Sequence, residues 1–466
     1  MSGFFTPESI RTHTGGTFLV RAEQSRECHG VSIDTRELSP GQLFVALPGE
    51  RTDGHDHLKS AADAGAPIAL VERDVQAPAG MTLVKVDSCR AALARLASAY
   101  RTTLRSTRVV GVTGSNGKTT TVRLLDHVLG SALRGSASRK SFNNELGLPL
   151  TILNARPTDQ YLVCEIGMSN PGEIRKLAAI ARPDVGIITS IGRAHLEAFG
   201  TVAGIAQEKA SLLFELAAAG VGIVTADSDE LEPALPPGVP IIRFGQRDAA
   251  DLRLTSIEPA RDGVRFQLND RTWFEVPLVG AHNAWNAAAT VAVARRLGVS
   301  DEQIVESLRA AAGAAMRLDR RTVAGIEVVN DAYNANPDSM LAALRTFAGL
   351  AAGAERRVIV LGDMLELGDA STREHRAIGD ALASSIEAGK GPDAVVLVGP
   401  AMAEAAGPLR NLLPASALWL QPEAGDGRSI AERLAPGDAV LLKGSRAMGL
   451  ERVVLALESA QAATRT

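Results

Sequence analysis

Gly114-Ser115-Asn116-Gly117-Lys118-Thr119-Thr120 follows the apolar run 109–112 and Thr113, and that order of residue types suits the holding of a triphosphate. Glycines at 114 and 117 let backbone N–H groups turn toward phosphate oxygens, and the helix that follows aims its positive end at the same charge. Lys118 adds a cation for the β- and γ-phosphates, and Thr119 a hydroxyl ligand for Mg²⁺. Val112 stands where the strict phosphate-loop pattern has a glycine. An ordinary strand-to-helix turn needs neither the lysine nor the threonines, and a dinucleotide-binding turn has no use for them either, so nucleoside triphosphate binding is the preferred reading.

Other chemistry-bearing residues lie downstream. Glu165 ends the apolar run 161–166, at the strand edge where ligands gather in parallel sheets; with Thr119 it makes a Mg²⁺ pair, unless it is an edge glutamate in solvent. His195 follows the run 185–190, with Glu197 two positions on as an acid, although a lone histidine is more often structural. Lys209 lies among apolar residues of a helical stretch, where an ammonium shifts toward neutrality. A neutral amine takes up CO₂ as a carbamate, an oxygen ligand suited to Mg²⁺; the alternative is a lysine that snorkels to the surface. Asn143-Asn144-Glu145 reads first as an Asx-capped turn, and Asn283 and Asn286, one helical turn apart, suit the edge of adenine or plain capping equally. Arg317 is placed to neutralise charge on a γ-phosphate, and Asp331, at a strand end, to hold a ribose, a water or that arginine.

The elements that must position these residues alternate. Strand-length apolar runs at 43–47, 68–71, 109–112, 161–166, 185–190, 222–225, 358–361, 394–398 and 439–442 are separated by Ala/Leu-rich stretches such as 91–100 and 283–297, the latter stopped by Gly298. This predicts an α/β fold with mainly parallel sheets. Segment 251–279 alternates apolar and polar residues and reads as an antiparallel insertion or edge. A chain of 466 residues exceeds one core. Joints at 102–108 and 309–317 give three domains, 1–105, 106–315 and 316–466, with a tail from 460 expected to fray.

A formal net charge of -4 and the lack of any Lys/Arg run argue against nucleic acid and point to small-molecule partners. Cys28, Cys89 and Cys164 are too scattered for a disulfide framework or a zinc site. No signal segment is seen, and no apolar run approaches the roughly 20 residues of a membrane span, so a cytoplasmic protein is expected, as a monomer.

Taken together, these residues resemble the Mur-family amide ligases over nearly the whole length. The resemblance is carried by 113–120, a family variant of the phosphate loop that accounts for Val112, by Asn143-Asn144-Glu145, Glu165, Ala194-His195-Leu196-Glu197, Lys209, His282-Asn283 with Asn286, Arg317, Asp331 and Lys443-Gly444-Ser445-Arg446. Segments 332–340 and 361–368 resemble the branch that adds a dipeptide; the Asp-Asn-Pro-Arg signature of the branch that adds the third amino acid is missing.

The resemblance implies an N-terminal domain that grips a UDP conjugate, a central P-loop ATPase-type parallel sheet and a C-terminal Rossmann-like domain that brings in the amine. It implies ATP-dependent joining of D-alanyl-D-alanine to a UDP-N-acetylmuramoyl-tripeptide through an acyl phosphate, with two Mg²⁺ ions and a carbamate on Lys209. The implied ATP residues are Thr113, Gly114, Ser115, Asn116, Gly117, Lys118, Thr119, Thr120, His282, Asn283, Asn286, Arg317 and Asp331. Thr119, Glu165, His195 and Lys209 are the implied metal residues, and Lys118, Arg317 and Asp331 join the last three in catalysis. Ser32, Asp34, Thr35, Arg36, Asp53, Gly54 and His55, with Asn143 and Asn144, are the implied UDP-substrate contacts. Ser141, Ser169-Asn170 and Ser190 depart from the Asn, Asn-His and Asn expected of the family. A folate-lengthening ligase would share the ATP residues but need a pterin region, which the N-terminal third argues against. A non-catalytic nucleotide sensor would leave Glu165, His195 and Lys209 dispensable.

Overall fold

The computed structural model describes residues 3–23, 26–49, 52–139, 142–313 and 316–463. Glu50 and Arg51, beside the implied UDP region, and Ser141 lie outside the described residues. Among those described, the strands form three sheets, of five, nine and six strands. This is the three-domain α/β architecture with mainly parallel sheets that the alternating runs predict.

In the N-terminal sheet, Ile68–Val71 pairs in parallel with Leu43–Val45 and Thr82–Lys85, while Thr17–Val20 closes one edge antiparallel to Thr82–Lys85. The helix Cys89–Arg101 covers it; Ser88 caps the helix by accepting the N–H of Ala91, and its buried face carries Leu93, Leu96 and Tyr100. In the third sheet, Asp438–Lys443 lies between Arg356–Gly362 and Ile326–Asn330, parallel to both, and Asp319–Val323 pairs antiparallel at the edge.

The middle sheet places the phosphate-loop strand Arg108–Thr113 between Tyr161–Glu165 and Val185–Ile188, all parallel. Both faces are covered, so these strands read as continuous apolar runs. Segment 251–279 is antiparallel as expected: Leu252–Ala260, Gly263–Leu268 and Thr272–Val276 extend this sheet at one edge. The helix Asn283–Arg296 packs on the phosphate-loop helix Lys118–Gly130 and is buried from Ala287 to Ala294, the small side chains allowing contact on every side. It ends before Gly298, whose φ of 85° only glycine adopts freely.

A row of bare backbone crosses the middle sheet. Gly111 pairs with Gly186, and Gly186 with Gly222. A Cβ would lie 3.2 Å from Leu212 at Gly111, 2.9 Å from Leu213 at Gly186 and 3.1 Å from Leu213 at Gly222. Both leucines belong to the 3-10 turn Ser211–Glu215, which continues the helix Val202–Ala210 that carries Lys209.

Strands Thr17–Val20, Gly135–Ala137 and Leu418–Gln421 are not among the runs that predict the fold; they are short sheet edges with partly exposed residues, and Gly135–Ala137 has no apolar run at all. The tail is also more ordered than expected, since the helix Glu451–Ala463 runs through residues 460–463.

Candidate active site

The phosphate loop is built as its glycines require. Gly117 has φ 83° and starts the helix Lys118–Gly130 without a side-chain cap, and a Cβ there would lie 2.2 Å from Asn286 Oδ1. The backbone N–H groups of Ser115 and Asn116 donate to Ser190 O and Oγ, both at 2.9 Å, and Lys118 Nζ donates to Gly114 O at 2.7 Å. Burial lowers the Lys118 pKa from the ordinary lysine value, with Arg317 acting in the same sense and Glu165 against it.

Thr119 and Glu165 meet. Thr119 Oγ1 donates to Glu165 Oε2 at 2.9 Å, and Asn143 Nδ2 donates to Glu165 Oε1 at 2.8 Å. Glu165 is 1% exposed, which rules out the solvent-edge alternative. Asn144 has the capping role instead: its Oδ1 accepts the N–H groups of Leu146 and Gly147 at the start of the helix Gly147–Leu153. Arg317 reaches this pair from the far side of the second joint; its Nη2 donates to Thr119 Oγ1 at 2.9 Å while its guanidinium stacks 4.3 Å from the Tyr333 ring centroid.

Lys209 is 1% exposed, and its Nζ lies 3.6 Å from Met168 Sδ. The adjacent Glu208 turns away, accepting the N–H groups of Gly172 and Ile174 at 2.8 and 3.0 Å. Burial, joined by the charge of Lys118, pulls Lys209 well below the usual lysine range. The surface-snorkelling alternative fails. Lys209 does not itself line the central cleft, whereas Met168 does.

His195 has φ 62°, a strained conformation for a residue with a side chain. Its Nδ1 is paired with Glu366 of the third domain, not with the acid two residues away. Glu197 instead donates its backbone N–H to Glu366 O at 3.1 Å. The pairing with His195 holds the Glu366 carboxyl below the ordinary glutamate value. No linear spacing signals this partner, because it arrives from another sheet.

Asp331 is held by Lys443, whose Nζ donates at 2.5 Å, and its other oxygen accepts the N–H of Leu318 at 3.2 Å. Asn283 and Asn286 are turned inward: Asn286 Nδ2 donates to Asn283 Oδ1 at 3.0 Å, Asn283 Nδ2 to Val279 O at 2.9 Å, and Thr121 Oγ1 to Asn286 Oδ1 at 3.4 Å. Asn286 thus supports the phosphate loop from behind. Trp285, between them, donates to Asp227 Oδ2 at 2.6 Å on the cleft wall.

These groups share one cleft of about 2400 Å³ between the middle and third domains, lined by Lys118, Thr119, Glu165, His195, Arg317 and Asp331 among others. Ser115, Asn116, Gly117, Thr120, His282, Asn283, Asn286, Asn143 and Asn144 also line it; Thr113 and Gly114 lie behind. Ser32, Asp34, Thr35, Arg36, Asp53, Gly54 and His55 do not. Asp34 accepts from Arg36 at 2.6 Å, and both His55 ring nitrogens are used internally, Nδ1 on Asp53 at 2.6 Å and Nε2 on the N–H of Glu72 at 2.9 Å. Both ring nitrogens of His55 are thus engaged within the protein, one of them on Asp53.

Family models match three stretches: the Mur ligase family catalytic domain over 27–101, the Mur ligase middle domain over 112–294, and the Mur ligase glutamate ligase domain over 316–446. A Bacillus subtilis protein named UDP-N-acetylmuramoyl-tripeptide--D-alanyl-D-alanine ligase is 35% identical, covering 96% of this chain and 97% of its own. The chain belongs to the Mur ligase family. An Escherichia coli Mur ligase of the same name is 33% identical over 92% of this chain and 93% of its own. Among solved Mur ligases, MurF from Acinetobacter baumannii superposes with a TM-score of 0.84 at 31% identity, covering 97% of this chain and 99% of that one. MurF from Thermotoga maritima in complex with ADP gives 0.76 at 28%, covering 94% and 99%. The Mycobacterium tuberculosis folylpolyglutamate synthase, at 19% identity and a TM-score of 0.58, shares only the fold.

Proposed function

We propose that this Mur ligase joins D-alanyl-D-alanine to UDP-N-acetylmuramoyl-tripeptide at the expense of ATP, through an acyl phosphate, giving the pentapeptide precursor of peptidoglycan. The observation that carries the reading is the meeting of Arg317 with the Thr119–Glu165 pair in the cleft, in a chain 35% identical over 96% of its length to a ligase of that name. Domain bounds of 1–105, 106–315 and 316–466 go with this reading, as does a cytoplasmic monomer acting on small molecules.

Thr119 and Glu165 are a hydroxyl and a carboxylate in contact, a donor set that suits Mg²⁺ completed by phosphate oxygens. Lys209 suits a carbamate, because its buried amine lies beside the Met168 thioether, and burial with the charge of Lys118 outweighs the opposing charge of Glu208, which favours the neutral, CO₂-reactive form. Thr119 and Glu165 would hold one Mg²⁺, and His195 with carbamylated Lys209 a second. Bound there, the ions would neutralise γ-phosphate charge and draw the peptide carboxylate beside it.

The chain's own groups do the rest. Lys118 and the amides that open the phosphate-loop helix hold the phosphates, the Ser115 and Asn116 N–H groups being bonded to Ser190, and Arg317 faces the charge that develops as the γ-phosphoryl group moves. A carboxylate oxygen of the tripeptide displaces ADP from that phosphorus. The neutral amine of the dipeptide then attacks the carbonyl carbon, and the C–O bond to phosphate breaks as the amide forms. Asp331, fixed by Lys443, suits the ribose of ATP, with His282 and the amides of Asn283 and Asn286 flanking the nucleotide. Ser32, Asp34, Thr35, Arg36, Asp53 and Gly54, with Asn143 and Asn144, hold the UDP substrate, and His55 acts through Asp53.

An ADP-release assay offering UDP-muramoyl tripeptides ending in lysine or diaminopimelate, each with a panel of dipeptides, tests the activity. Heavy-oxygen label placed in the peptide carboxylate is expected in the released phosphate; unlabelled phosphate would exclude the acyl phosphate.

A further inference from the structure

The loop that leads from Val185–Ile188 to His195 is bonded on both sides. Toward the nucleotide, Ser115 Oγ donates to Gly192 O at 3.1 Å and accepts Gly192 N–H at 3.0 Å. Toward the third domain, Arg193 is gripped by two carboxylates on two different helices. Its backbone N–H donates to Asp338 Oδ2 at 2.7 Å, its Nε and Nη2 to Asp338 Oδ1 at 3.0 and 2.6 Å, and its Nη1 to Glu374 Oε2 at 2.8 Å. The Glu374 side chain is 5% exposed, and its other oxygen accepts from Arg373 at 3.0 Å. A Cβ on Gly192 would lie 2.5 Å from Asp338 Oδ2, so the approach depends on a glycine there.

A second link runs in parallel. Asn116, inside the phosphate loop, exchanges amide hydrogen bonds of 2.9 and 3.4 Å with Asn336, the residue that caps the helix bearing Asp338. Both links start at adjacent residues of the phosphate loop and end on the first turn of one helix of the third domain. The charge arrangement adds strength, since a guanidinium with two carboxylates, one of them buried, is less screened than a surface pair.

We propose that Arg193 is a positioning residue, the clasp that seats the third domain on the phosphate loop so that the amine arrives before water reaches the acyl phosphate. Arg193 does not line the cleft and touches no reacting atom. Its loss therefore separates two outcomes that the intact protein keeps together: activation of the acid and capture by the amine. The inference rests on the ligase reading above.

The test compares the parent protein with Arg193→Ala, Arg193→Lys, Asp338→Asn and the Arg193→Ala/Asp338→Asn double variant, measuring phosphate released and amide formed in the same reaction. In Arg193→Ala the phosphate-to-amide ratio is expected to rise roughly tenfold, with a similar rise in KM for the dipeptide and little change in KM for ATP. Arg193→Lys is expected to recover part of the coupling, and the double variant to be little worse than Arg193→Ala, since the side-chain ion pair with Asp338 is already lost in the single variant. An unchanged ratio in Arg193→Ala, or equal rises in every KM, overturns the proposal. Should Arg193→Ala fail to fold by circular dichroism, Asp338→Asn alone decides by the same ratio. A parent protein that forms no amide at all would instead refute the ligase reading.

Discussion

Arg317 Nη2 donates to Thr119 Oγ1 at 2.9 Å across the joint that separates the middle and third domains. A guanidinium carried by one domain thereby stands over the hydroxyl that opens the phosphate-loop helix of another, and stacking on Tyr333 fixes its plane. On the proposed reading, Arg317→Ala lowers turnover by about 10²- to 10³-fold. Arg317→Lys recovers little, because an ammonium neither stacks nor forks in the same way. Steady-state phosphate release measures both, and near-parental turnover in Arg317→Ala would remove the side chain from the reaction.

Lys209 separates stability from activity. Its depressed pKa means that the unfolded chain binds a proton that the fold rejects, so its contribution to stability improves as pH rises from the folded value toward about 10.4. Lys209→Met, which keeps the volume, is expected to melt no lower than the parent at neutral pH and to lack ligase activity. Lys209→Ala is expected to be inactive too, with partial rescue by a short-chain carboxylate at high concentration. Melting curves and ligation assays on the same samples check this; an active Met variant contradicts the carbamate.

Lys443 is 2% exposed and leans on Asp331. Asp331→Asn leaves that ammonium buried without its carboxylate, and a loss of about 3–5 kcal/mol in unfolding free energy is expected. The double variant Asp331→Asn/Lys443→Met should recover much of the loss while remaining impaired in ATP binding. Denaturant titration and nucleotide affinity report the two effects separately.

Asp53 gives a pH signature in the N-terminal domain. The N–H of His55, then the His55 ring, and then Arg73 pull its pKa down to about 2, against about 3.9 in an unfolded chain. The carboxylate therefore stabilises the fold above about pH 4, and this contribution fades as pH falls through about 2. Asp53→Asn, which keeps an oxygen for the cap, is expected to cost about 1 kcal/mol near neutral pH after allowance for solvent screening, and the gap from the parent should close with acidification. Thermal melts from about pH 6 down to 2 follow the convergence.

The phosphate loop, the α/β order and the antiparallel edge at 251–279 are legible in the sequence because each is written in neighbouring residues: glycines before a lysine, apolar runs, strict alternation. The partners of the site residues are not. His195 pairs with Glu366 rather than with nearby Glu197, and Arg193 stands beside a histidine that draws the attention while its own carboxylates lie on two helices of another sheet. Asn143 and Asn144 look equivalent in sequence, yet one turns to Glu165 and the other caps a helix. For His195, Arg193 and Asn143 the deciding contact joins separate segments of the chain, and residue type alone carries no record of that distance; the cap made by Asn144 is local, and only its equivalence to Asn143 misleads.

The glycine row at 111, 186 and 222 governs how deep the Lys209 helix can settle, because Leu212 and Leu213 rest where side chains would otherwise stand. The depth of a reactive amine is thus written in missing carbon atoms at three strand positions that do not themselves line the cleft. A methyl added there would press like a shim on Leu212 or Leu213, and at Gly111 and Gly222 on Pro183 and Ile241 as well, so the turn that follows the Lys209 helix would have to yield.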